Sequence, residues 1–174
     1  MIVMKPEDKL SQSVQRLVNT NEVTIVQAMG ELRKSGKEAV PVLVEALKEE
    51  GSLRNIAAAV LGEFGADAGD AAEALAKLLE SEEEETRMAA AISLMRIGQP
   101  SLPFLLSLAK RYEGPTCFWA SWCISWIDPS KIEKNMYECL KQEQENPSGN
   151  VAPFAAEEAL GKIIAFQLKE KGDE

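Results

Sequence analysis

The sequence predicts an all-α fold, a solenoid of about five stacked helical hairpins. Three observations carry that reading: a pattern written twice in succession, apolar residues at helical spacing along the chain, and short connections marked by Gly, Pro or acidic residues. The pattern runs from Gly36 to Gly98. GKEAVPVLVEALKEEGSLRNIAAAVLGEFG is followed by GDAAEALAKLLESEEEETRMAAAISLMRIG, which sets Leu43 over Leu75, Arg54 over Arg87, Leu61 over Leu94 and Gly65 over Gly98. A period of about 33 residues, each copy a helix, an acidic turn and a second helix, marks a stacked-repeat architecture. Neither copy can bury its apolar face alone, so neighbours must stack.

Carried outward, the pattern gives one repeat domain over residues 1–174, with units of roughly 5–34, 35–65, 66–98, 99–128 and 129–170. In the first, Leu10, Val14 and Leu17 form a stripe from about Glu7, Thr20 and Asn21 turn the chain, and Ile25, Met29 and Leu32 form a second stripe. Its outer face, with Ser11, Gln12 and Gln15, is polar, as suits a solenoid end. The second unit has Pro41 in the first turn of its first helix, where a missing N–H costs little. Its Val40, Leu43 and Leu47 face inward, then Ala57, Ala58, Leu61 and Phe64, with Gly65 ending the second helix. In the third, Asp70 to Glu73 and Ser81 to Glu84 read as capping boxes, and the acidic run Glu82 to Glu85 as a solvated turn that complements the positive end of the next helix. The fourth packs Leu102, Leu105 and Leu106, turns at Gly114 and Pro115, and carries a second helix over about Thr116 to Ile127, stopped by Asp128 and Pro129. Ser130 to Glu133 caps the fifth. That unit buries Ile132, Met136 and Leu140, crosses a longer loop at Asn146 to Asn150, and ends on a helix with Ala156, Leu160 and Ile163 inward.

The stretches AVPVLVEAL (Ala39 to Leu47), RNIAAAVLGEFG (Arg54 to Gly65) and RMAAAISLMRIG (Arg87 to Gly98) resemble the HEAT-repeat family, and within it the short repeats of phycobilisome bilin lyases. That resemblance implies a right-handed α-solenoid whose second helices line a concave surface, most often used to bind another protein. It implies no single activity, because the family serves many functions.

Composition narrows the chemistry. The chain of 174 residues is 45% hydrophobic, has a formal charge of −9, and contains no histidine. Absence of histidine removes the commonest metal ligand, the usual general base and any Ser-His or Cys-His nucleophile pair. Within the HEAT family it also speaks against the iron-dependent deoxyhypusine hydroxylases, whose metal site needs His-Glu motifs. Most of the negative charge falls between residues 37 and 98, which repels a phosphate backbone. No catalytic residue, metal ligand or cofactor is expected. Cys117, Cys123 and Cys139 form an odd set without CxxC spacing, and MIVMKPEDKL has too short an apolar run for a signal peptide or a membrane span. A reduced cytoplasm is the expected location.

Counting from Arg54 as position zero at about 100° per residue, positions three, seven and ten of each second helix form the buried face. Positions two, five and nine lie nearly opposite. In the fourth unit these are Trp119, Trp122 and Trp126, every tryptophan of the chain. With Ile92 and Ile56 they predict an apolar patch edged by Glu63, Arg96, Glu158 and Lys162, the anatomy of a recognition site. The expected function is therefore a non-enzymatic scaffold that binds a protein or peptide on this concave face, without nucleic acid or membrane. Truncating Trp122 should then cost far less stability than truncating Leu61 or Leu94. The alternatives are a bilin lyase type of enzyme subunit, a glycosylase-like site using Trp122, Trp126 and Asp128, and a homodimer with the aromatic face as its seam. Burial of the rings under the last repeat is the bland counterpart of all of these.

Overall fold

The computed structural model describes residues 5–19 and 21–172, and every regular element among them is helical. The reading of the first four residues, and of Thr20, lies outside the described residues. The helices come in antiparallel pairs: α1 (Pro6–Arg16) with α2 (Glu22–Ser35), α3 (Val40–Ala46) with α4 (Ser52–Glu63), and α5 (Ala72–Lys77) with α6 (Glu84–Ile97). The series continues with α7 (Leu102–Arg111) and α8 (Gly114–Ile127), then α9 (Lys134–Glu145) and α10 (Ala152–Gly172). Second helices stack α4 on α6, α6 on α8 and α8 on α10, while α1 packs on α3 and α7 lies between α5 and α9. The result is an all-α solenoid whose core is one continuous cluster from Val14 to Ile163.

The repeat period has a physical origin at Gly65 (φ +55°) and Gly98 (φ +77°), which turn the chain out of α4 and α6 through left-handed backbone that costs glycine little. Helices α4 and α6 approach each other closely at Gly62. A Cβ on Gly62 would lie 2.9 Å from the Ser93 Cα, and the Ser93 hydroxyl donates to the Ala58 carbonyl at 2.7 Å. The inward residues Ala57, Ala58, Leu61, Ala90 and Leu94 are fully buried there.

Local expectations differ from the structure at the helix starts. The proposed capping boxes do not form. Asp70 lies in a 3₁₀ segment (Gly65–Ala71) ahead of α5, Ser81 accepts from the Glu83 N–H rather than from Glu84, and α9 starts after Glu133 with no side-chain cap, while Asp128 accepts from the Ser130 N–H in the preceding 3₁₀ turn Pro129–Lys131. Short side chains compete for nearby donors, so a matching spacing does not choose which one is used. Gly114 and Pro115, expected as a turn, are the first residues of α8, an arrangement that proline tolerates. Asn21 does cap α2, accepting from Val23 at 2.9 Å.

Candidate functional site

The helix α8, GPTCFWASWCISWI, has no charged residue, and every residue from Cys117 to Ser125 is buried, Ser121 and Ser125 included. A helix apolar on all sides is buried on all sides. One side packs on α6 and α7, the other on α9 and α10. The open aromatic face expected for Trp119, Trp122 and Trp126 is therefore absent: Trp119 is 3% exposed, Trp122 is 6% exposed, and Trp126 is half-buried. Their rings continue from Phe118 as a ladder, with centroids 5.0 Å apart to Trp119, 5.8 Å on to Trp122 and 6.1 Å on to Trp126. The indole N–H groups of Trp122 and Trp126 are buried without a hydrogen-bond partner.

What covers the ladder is the last hairpin. The buried Glu143 carboxylate accepts from the Ser148 N–H at 2.8 Å and from its hydroxyl at 2.9 Å, pinning the start of the α9–α10 loop. Gly149 then passes so close to the start of α6 that a Cβ there would lie 2.0 Å from a Glu84 carboxylate oxygen. This path swings α10 across α8. Lys162 places its ammonium 3.4 Å from the centroid of the Trp126 ring.

A groove of about 550 Å³ remains where α6, α8 and the start of α10 meet. Met88 and Ile92 form one wall, the edges of Trp119 and Trp122 the floor, and Val151, Phe154 and Ala155 the other wall. Phe154 is 75% exposed at its mouth, and Glu157 and Glu158 stand beside it. Of the sequence-derived residues, this groove gathers Ile92, Trp119, Trp122 and Glu158. It leaves out Trp126, Lys162, Ile56, Glu63 and Arg96. Glu63 instead takes a 2.5 Å hydrogen bond from Arg33 of α2, which holds its carboxyl below the usual range, with Arg96 adding a weaker pull. Arg16 similarly bridges to Glu31, whose carboxyl is lowered by its hydrogen bonds from Ser13 and Arg16. Sequence reasoning passed over Val151 and Phe154. Their only signal was apolar residues directly after the longest loop.

The tertiary structure also joins cysteines that are distant in sequence. The Cys139 thiol on α9, which donates to the Gly114 carbonyl, neighbours the Cys117 thiol on α8 and draws the Cys117 pKa down to about 7. The same contact, together with burial, pushes Cys139 up, and burial alone pushes Cys123 up. Among the described residues no group of three His, Cys, Asp or Glu side chains could hold a metal ion, and no helix is long and apolar enough to cross a membrane.

The match to a repeat-family model accords with this architecture. Residues 40–117 match the family model for HEAT repeats. A protein of Bacillus subtilis (strain 168), uncharacterized protein SkfG, is 75% identical over 166 residues, spanning 95% of this chain and 97% of the relative. Among solved structures, an engineered protein aligns over 89% of this chain and 79% of its own, with a TM-score of 0.48 and 20% identity. A designed armadillo repeat protein, solved with the peptide (KR)4, aligns over 89% and 99% with a TM-score of 0.40 and 15% identity.

Proposed function

We propose that this chain, which belongs to the same family as Bacillus subtilis SkfG and carries HEAT repeats over residues 40–117, is a non-enzymatic interaction module holding a short apolar segment of a protein partner. The segment sits in the groove between α6, α8 and α10. The observation that carries this reading is Phe154, a large aromatic side chain left 75% exposed over a floor of tryptophan edges. Burying such a ring against a partner supplies the kind of anchor that dominates interface energetics. Glu157 and Glu158 at the rim favour a basic residue next to the partner's apolar anchor.

The test is selection of peptides from a random display library, followed by titration while tryptophan emission is recorded. A saturable emission change is expected, because Trp119 and Trp122 form the floor. Phe154→Asp should abolish binding without altering helical content or melting temperature. Peptides that bind the variant as tightly as the parent would end this reading. A second reading, a homodimer, is favoured by Ile164 and Leu168, 48% and 66% exposed one turn apart on α10. Mass measured over a dilution series, with Leu168→Glu as the control, separates the two.

A further inference from the structure

A second, larger groove lies in the layer of first helices, away from the tryptophans. It has a volume of about 900 Å³ and runs between α1 and α3. Its floor is apolar, with Leu10 and Val14 one turn apart on α1 and Val42 and Ala46 one turn apart on α3. Ser11 and Gln15, expected as the polar outer face of the solenoid end, line it as well. Both walls carry carboxylates: Glu7 and Asp8 on α1, and Glu38, Glu45 and Glu49 on or beside α3. Within the groove only Glu45 has a cation, Lys48 at 2.7 Å; among the described residues Glu7, Asp8, Glu38 and Glu49 form no ion pair.

These carboxylates do not converge as metal ligands would, since no such cluster exists among the described residues. They are spread along the groove's length instead. Unpaired negative charge on two walls of an apolar floor complements a segment with an apolar stripe and basic flanks. Rows at i and i+4 on each wall also match the ridge of a third helix laid between them. The 11 residues of α1 extend about 16 Å, so the matching segment is about three turns long.

We propose that the groove between α1 and α3 docks a basic amphipathic helix of a protein partner. This site is separate from the groove at Phe154 and does not depend on it. A second copy of this chain fits less well, because each copy has a net charge of −9.

The probe is a fluorescein-labelled designed peptide of about three turns, with Leu at i, i+4 and i+7 and Lys elsewhere, read by anisotropy. A scrambled peptide of the same composition keeps the charge and breaks the stripe. The amphipathic peptide should bind at least about tenfold tighter than the scrambled one, a margin that mere charge attraction does not supply. The combined variant Glu7→Gln, Glu38→Gln, Glu49→Gln, which preserves side-chain shape, should weaken binding by about tenfold or more. Val42→Arg should abolish it with helical content unchanged. Equal binding of both peptides, unchanged binding by both variants, or loss of binding only in Phe154→Asp would overturn the proposal. Self-association of the unlabelled protein that blocks the peptide and is itself lost in Val42→Arg would also overturn it, by assigning the groove to a second copy.

Discussion

The ammonium of Lys162 stands 3.4 Å above the ring centroid of Trp126, so the last helix of the solenoid is clamped onto the aromatic side of α8. The same helix buries Trp119 and Trp122. A surface that the residue pattern offered to a partner is largely taken by the chain's own terminal hairpin. Replacing Lys162 by Met keeps the length of the side chain and removes its charge. We expect a loss of about 0.5 to 1 kcal/mol, the range for a partly exposed cation over an aromatic ring, measured by urea denaturation. Lys162→Arg should retain most of it.

Trp122→Ala should destabilise by about 3 to 5 kcal/mol, comparable to the roughly 2 to 5 kcal/mol expected for Leu61→Ala. Burial of the ring at 6% exposure removes the difference that an open tryptophan face implied. Trp122→Phe should cost much less, because the buried indole N–H has no partner and its removal ends an uncompensated desolvation. Denaturation midpoints of the variants, measured together, check the order.

Gly62→Ala tests the close contact between α4 and α6. The added methyl carbon would lie 2.9 Å from the Ser93 backbone, which cannot swing aside as a side chain could. A loss of about 1 to 3 kcal/mol is expected from forcing α4 away from α6. Gly149→Ala meets only the tip of Glu84, which can rotate, and should be mild; thermal melting of both variants beside the parent checks the contrast.

The thiols make stability depend on pH in two opposite steps. Cys117 is lowered to about 7 by the neighbouring Cys139 thiol, so between pH 7 and the ordinary thiol value of about 8.5 the folded chain holds fewer protons than the unfolded one. Stability from this source rises with pH across that window. Above it, unfolded Cys123 and Cys139 ionise while their folded counterparts, both raised, keep their protons, and stability falls. Thiolate absorbance near 240 nm should show one ionisation near pH 7 that disappears in Cys117→Ser, along with the rising limb of the stability profile.

The repeat was legible because its signals are local. Leu61 over Leu94 and Gly65 over Gly98 record helix faces and helix ends, properties set within one turn of backbone. The apolar core positions Ala57, Ala90, Ala120 and Ile124 could be placed by the same counting, and all are buried. The candidate site was less legible. Counting identified the side of α8 opposite its inner face, but exposure depends on whatever else packs there, and that partner begins some 25 residues further along the chain. One local signal did exist, the lack of any polar face in α8, and it meant burial all round.

By itself, then, the sequence determined an all-α solenoid of stacked hairpins with its inner faces assigned, since periodicity and turn chemistry act over a few residues. The tertiary structure alone decided that Glu143 and Ser148 steer the final loop back past Glu84 and that α10 closes over the tryptophans. It alone brought Cys117 to Cys139 and set Leu10 and Val14 across from Val42 and Ala46. Each of these depends on the angle at which one hairpin meets the next. That angle is settled by packing and loop path, which no single residue's preference encodes.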